Sequence, residues 1–291
     1  MTLSEPIPQL SEYTHPDYFD IIRVDAQYRI ESSADNSRPE VMLRSQQIHG
    51  QSYVDYGYFD ASGLTEDGRL VPELDGTRSS DDGHRIANYL VASEYGVPIH
   101  EAKATVRVLD IGEYGSLEDL PTYKYFAERF DARTKAKLAN LAELYGKQGI
   151  REIAALGTVD NAGHVSSFEL MRALIQNSII KEEKHGYREV YLASLTPKSF
   201  QPVINFIDPR SANVIGQPVQ IFSDDPRSRA IHVTPVLMDL SKALDNTVEA
   251  IESAEESASI RALVHKLRFL ADGLDEGVMS KRVNAFLKKI A

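Results

Sequence analysis

The residue with the clearest chemical potential is a carboxylate, Glu152, set in the run Arg151 to Val159 (REIAALGTV). The run is short and mostly apolar, bounded by Gly149 and by the turn Asp160-Asn161-Ala162-Gly163, so it reads as a buried strand. Burial disfavours the ionised form of a carboxyl group and raises its pKa, which suits Glu152 to take a proton from an ammonium, directly or through water. It equally suits half of a buried ion pair, with Arg44 and Arg107 as the partners at hand. Those two arginines could instead hold a substrate carboxylate through paired N–H donors. His164, in the turn after the strand, is a second candidate acid or base, because imidazole titrates near neutral pH. Ser166 and Ser167 open a helix whose first backbone N–H groups, at the positive end of its dipole, would receive an anion.

Positioning these groups requires a strand, helix, strand, helix, strand unit between Gly149 and Phe222. Phe168, Met171, Leu174, Ile175 and Ile179 recur at helical spacing after a Ser166-x-x-Glu169 capping box, and Gly186 closes that helix after about five turns. Glu189 to Leu195 (EVYLASL) is a second strand. Thr196-Pro197 then has the cap and first-turn chemistry of a helix through Phe206. Two strands joined by a helical crossover are expected to be parallel neighbours.

Upstream, Pro6, Pro8 and Pro16 mark residues 1–19 as an extended arm. Asp20 to Ile30 is strand-like, and Ser37-x-Pro39-Glu40 starts a helix through Ile48. The aromatic cluster Tyr53, Tyr56, Tyr58 and Phe59 reads as core or interface packing, with the wall of a pocket as the alternative. Gly63 to Gly83 is a polar surface loop. Residues 86–95 and 102–111 are two antiparallel strands about Gly96-Val97-Pro98. Asp131 caps a helix that, with its edge, carries Arg133, Lys135, Lys137, Lys147 and Arg151. This basic island is either a solvated face or a docking patch for an acidic carrier protein. Residues 214–222 and 230–236 form a hairpin. From Leu237 apolar residues recur at helical spacing to Ile290, giving two or three helices that either cap the core or make an oligomer surface.

Composition excludes several classes. A net charge of −11 and no dominant basic stripe argue against a nucleic-acid surface. The absence of cysteine removes disulfides, thiol nucleophiles and cysteine-bound metal. No paired histidine spacing or clustered carboxylate loop predicts a metal, and no Gly-x-Ser-x-Gly elbow predicts a serine nucleophile. No run approaches a membrane span and the start has no signal-peptide pattern, so a cytoplasmic protein is expected.

The order and texture of these elements resemble the GNAT superfamily of N-acyltransferases, nearest to its acyl-homoserine-lactone synthases and long-chain N-acyl amino acid synthases. The likeness runs from about residue 20 to 240. It rests on Leu43-Arg44 leading into Tyr53-Val54, on Asn88 to Ser93 paired with Ala102 to Leu109, and on Glu152-Ile153 before the long helix. In those synthases an arginine of the early helix, an arginine at the end of the third strand and a Glu-Ile-x-Arg strand line the site; Arg44, Arg107 and Glu152-Ile153 match, whereas Ala155 stands where the pattern has arginine. The chain also has no tryptophan, which lactone synthases usually carry in the early segment.

The resemblance implies an α/β fold (an α+β mixed sheet), GNAT-like, over residues 20–236, with a C-terminal helical appendage over 237–291. It implies acyl transfer from a thioester to a small-molecule amine, including an amino acid held by Arg44 and Arg107, with Glu152 and His164 as catalytic candidates. Nothing is expected to be tightly bound. The co-substrate would be acyl-CoA or an acyl-phosphopantetheine, its anionic arm received at Ser166 and Ser167. The turn before that helix lacks the Gln/Arg-x-x-Gly-x-Gly/Ala loop of coenzyme-A-using members, which leans toward an acyl carrier protein as donor. The alternative is a catalytically silent binding module of this fold whose C-terminal helices recruit a partner. An enzyme should show an open tunnel between the strands at 151–159 and 189–195, and a silent module a filled one.

Overall fold

A computed structural model describes residues 23–24, 28–34, 37–79, 82–159, 163–186, 188–221, 225–229 and 231–290. The arm expected over 1–19 and the turn at 160–162 lie outside these residues. The strands are β1 (Arg23–Val24), β2 (Tyr28–Ala34), β3 (Arg85–Glu94), β4 (Ala104–Ile111), β5 (Ile150–Thr158), β6 (Val190–Leu195), β7 (Ala212–Val214), β8 (Val219–Ile221) and β9 (Ile231–Met238). The helices are α1 (Pro39–Asp55), α2 (Pro121–Phe126), α3 (Ala132–Tyr145), α4 (Gly163–His185), α5 (Pro197–Ile207), α6 (Ala243–Ser253), α7 (Ser257–Ala271) and α8 (Lys281–Ile290). Among the described residues the strands form one mixed sheet in the order β1-β2-β3-β4-β5-β6-β9-β7, with β8 also on β9. The mixed α/β architecture expected from the sequence is therefore the one found.

β3, β4 and β5 are near-continuous apolar runs because both faces of the sheet are covered. On one face α1 and α3 bring Val41, Ile48 and Leu138 against Ala87, Tyr89 and Leu109. On the other, α4 brings Leu170, Leu174 and Ile175 against Val106 and Val108. The C-terminal helices join this second face, burying Leu244, Val248, Leu267 and Leu270 in the same cluster, so their apolar stripes are turned onto the chain's own core. No helix among the described residues is long and apolar enough to cross a membrane.

Two glycines explain local geometry. Gly186 adopts φ 63°, the left-handed conformation that ends α4 without a Cβ penalty. Gly157 lets α1 approach β5, since a Cβ there would fall 2.7 Å from Ser52 Oγ.

Several expectations are corrected. α4 begins at Gly163, so Ser166 lies inside its first turns, and Glu169 pairs with Arg172 at 2.8 Å. Asp20 to Ile30 is divided: β1 pairs back on β2, which runs on to Ala34. α1 starts from Arg38, not Ser37, and extends past Ile48 to Asp55, which places Tyr53 on the helix. The strand expected over 214–222 is split, because β7 and β8 meet different parts of β9. The loop at 63–83 is not wholly superficial, as Leu70, Leu74 and Asp75 are buried. Arg151 leaves the basic island: it is buried, 3.0 Å from Asp110 and 3.3 Å from Glu189.

Thr196 caps α5 as expected, its hydroxyl oxygen accepting from Ser199 N–H at 3.3 Å. Thr196→Ala is expected to cost about 1 kcal/mol of stability, read by denaturant unfolding.

Candidate active site

The site follows from a parting of two strands. β5 and β6 run parallel and in register from Ile150↔Val190 to Ile153↔Ala193, where their pairing stops. At the same place the register of β5 against β4 slips, leaving Ala154 as an extra residue. Such a bulge bends the strand that carries it. Beyond it β5 continues along β4 to Thr158, while β6 follows β9 to Leu195. Among the described residues, the peptide groups of β5 after Ile153 that point away from β4 have no strand partner.

The resulting gap opens into a cavity of about 370 Å³, within the roughly 300–1,000 Å³ range of small-molecule pockets. Leu156, Phe168, Met171, Val203 and Phe206 give it an apolar body. Tyr53, Tyr56 and Tyr58 from the end of α1 close one side, so this aromatic cluster is pocket wall as well as packing. At the rim stand Ser167 of α4 and Lys198 and Ser199 of α5. Lys198 Nζ lies 5.4 Å from the centre of the Tyr56 ring.

A second, smaller chamber of about 60 Å³ contains Glu152 in its lining. It shares Tyr53, Tyr58, Ala154, Ser194 and Thr196 with the larger cavity. Glu152 is 2% exposed. Thr122, in the first turn of α2, holds it: the backbone N–H donates at 3.1 and 3.0 Å to the two carboxylate oxygens, and the hydroxyl donates at 2.8 Å to Oε1. Among the described residues Glu152 forms no ion pair. Burial pushes its pKa up to about 7, against the opposing pull of the Thr122 hydrogen bonds and of Arg85.

The other candidates are placed differently. Arg107 is fully buried, its Nη1 2.8 and 2.9 Å from the Asp75 oxygens and also donating to Thr77. Its described carboxylate partner is thus Asp75 and not Glu152. Arg44 donates from Nε to the Ala102 carbonyl at 2.8 Å. Ser166 is buried in α4, Ser167 reaches the cavity, and the His164 side chain lies outside the described residues. Sequence reasoning missed His49, which is buried between Asp75 and Tyr53 and lines the smaller chamber. It also missed Asp75, Thr122 and Lys198. Lys198 had a signal, since it follows the Thr196-Pro197 helix start; Asp75 sat in a polar loop with nothing to distinguish it.

No protein-family model matches this sequence, and no curated protein does. Among solved structures, the chain is similar to the AHL synthase LasI, at 12% identity over 74% of this chain and 91% of that one, with a TM-score of 0.43. It is similar to FeeM, an N-acyl amino acid synthase from uncultured soil microbes, at 13% identity over 75% and 94%, with a TM-score of 0.45. It is also similar to the aminoglycoside acetyltransferase AAC(6')-Ib, at 11% identity over 73% and 96%, with a TM-score of 0.35.

Proposed function

We propose that this chain is an N-acyltransferase that moves an acyl group from a thioester to an amine. The observation that carries this reading is the open gap between β5 and β6, where an apolar cavity meets a smaller chamber that holds a buried carboxylate of raised pKa with no ion-pair partner among the described residues. An acyl chain fits the first and an amine the second.

Glu152 takes the proton that makes an ammonium unreactive. The free amine then attacks the thioester carbonyl, the new C–N bond forms, and the C–S bond breaks as the tetrahedral intermediate collapses. Glu152 hands its proton to the departing sulfur, which leaves as a thiol, and the nitrogen's second proton leaves to water, so that the carboxylate is regenerated. Peptide N–H groups of β5 beyond Ile153, which have no strand partner on the side away from β4 among the described residues, would stabilise the oxyanion. Lys198 and the first turn of α5 are suited to the phosphate of the donor's pantetheine arm. Exposed Arg133, Lys135 and Lys137 on α3 support a carrier protein as the donor's vehicle, with coenzyme A as the alternative.

Incubation with acyl thioesters of both kinds and a panel of amines, read by thiol release, tests the reading; silence across both donor types would overturn it. The cavity's role is tested separately. Val203→Trp fills its apolar body, so kcat/KM for a long-chain thioester is expected to fall by about tenfold or more while that for an acetyl thioester holds. Equal losses at every chain length would remove this cavity as the acyl site.

A further inference from the structure

The smaller chamber has a definite chemical character. None of the described residues lining it is lysine or arginine, and its one ionisable acid is Glu152. A carboxylate brought in beside the amine would lose its hydration and face Glu152 with no cation in the described lining to pair with, since Arg85, Arg78 and Arg107 act on Glu152 and His49 from outside it. Arg107, expected to hold such a group, lies outside the lining and is neutralised by Asp75; its Nη2 lacks a hydrogen bond.

Between apolar walls that include Leu74, Ile221, Ile231 and Val233, the chamber offers hydroxyls and one imidazole. His49 is 2% exposed, and among the described residues neither of its ring nitrogens makes a hydrogen bond. Its Nδ1 lies 3.7 Å from Asp75 Oδ1, and a neighbouring carboxylate favours the proton on that nitrogen, leaving the Nε2 lone pair as an acceptor. Burial and the Arg107 charge hold the ring neutral, with a pKa pushed down to about 3 despite Asp75. A buried acceptor without a donor is costly, and a ligand O–H would satisfy it. At about 60 Å³, the space suits only a few non-hydrogen atoms.

Building on the transferase reading, we propose that the chamber takes a small amino alcohol in place of an amino acid, and that His49 is a positioning residue that accepts a hydrogen bond from its hydroxyl. The test uses one thioester donor at pH 8 and matched acceptors: ethanolamine against glycine, serinol against serine, and propylamine as the isostere of ethanolamine without its hydroxyl. The amino alcohols are expected to exceed their amino acids by roughly tenfold or more in kcat/KM, and ethanolamine to exceed propylamine by a similar factor. In His49→Ala, and again in His49→Gln with its own donor and acceptor, the KM for ethanolamine is expected to rise and its advantage over propylamine to shrink. A merely structural His49 would weaken both amines alike. Glycine matching or surpassing ethanolamine, or an unchanged ethanolamine-to-propylamine ratio in the variants, would overturn the proposal and leave the transferase reading standing. If no acceptor releases thiol, the transferase reading fails, and calorimetric titration decides the chamber's preference alone. Ethanolamine binding that His49→Ala weakens supports the proposal; glycine binding as tightly, or neither binding, overturns it.

Discussion

Glu152→Gln is expected to lower kcat by roughly 10²–10⁴-fold and to leave the protein more resistant to heat above neutral pH, not less. The first effect follows from losing a proton acceptor of the right pKa while keeping the shape of the side chain. The second follows from the partners found. Glu152 is held by the N–H and hydroxyl of Thr122, and its loss of charge strands no arginine. Its carboxyl titrates near 4.5 in the unfolded chain and near 7 in the fold, chiefly through burial. Between those values the folded protein keeps a proton that the unfolded chain has released. The group's contribution to stability is therefore complete below about pH 4.5 and is lost as pH rises through 7. At pH 8 the buried charge costs about 3 kcal/mol, which glutamine avoids. Thermal unfolding of both proteins at pH 5 and pH 8, with turnover on the same samples, checks the pair of effects. A variant of full activity, or one less stable than the parent at pH 8, would sink this account of Glu152. In the parent, kcat/KM should climb with pH about a midpoint near 7.

The surroundings of Glu152 mark the limit of what the sequence could tell. The frame was legible because each element carried its own local signal: near-continuous apolar runs for β3 to β5, Asp131 and Thr196 as caps whose side chains accept from the third residue onward, and Gly186 at the end of α4. Glu152 stood out because it was a lone charge in an apolar strand. Its environment did not, since Thr122 lies 30 residues away and only the packing of α2 onto β5 brings them together. The same holds for Arg107, which meets Asp75 across 32 residues of chain. Nothing in a loop of Gly, Asp and Glu shows which acid will turn inward. The start of α4 was misplaced for a related reason: a Ser-x-x-Glu pattern signals a cap only if the carboxylate is free to reach back, and Glu169 is paired with Arg172. His49 carried no signal at all, being one histidine on a helix face until Asp75 and the chamber are placed beside it.

Arg107→Leu is expected to destabilise the fold by roughly 3–5 kcal/mol, the largest stability effect of any single change considered for this chain. Arg107 and Asp75 are 0% and 1% exposed, so removing the guanidinium leaves a carboxylate buried with only the more accessible Arg78 against it, 2.9 Å away. Burial would push the Asp75 pKa up, but Arg107 first and then His49, Thr77 and Arg78 hold it well below the usual carboxylate range. A depressed pKa gives stability that is present above the unfolded value and lost only as pH falls through the folded one, so in the parent this contribution survives into strong acid. In the variant the sign reverses, because a buried carboxylate without its cation binds a proton more readily than the unfolded chain does. The deficit should be widest at neutral pH and should narrow toward pH 4. Asp75→Asn combined with Arg107→Leu removes both charges, and a neutral buried pair need not be worse than the ionic one, so the double variant is expected to regain much of what the single one lost. Urea unfolding of the four proteins at pH 7 and pH 4 completes the cycle. Losses that simply add, or a deficit that grows on acidification, would mean that the two side chains do not hold each other. If they do, the loop bearing Asp75, Gly76 and Thr77 is fastened to the centre of the sheet, and with it one wall of the chamber that Glu152 and His49 line.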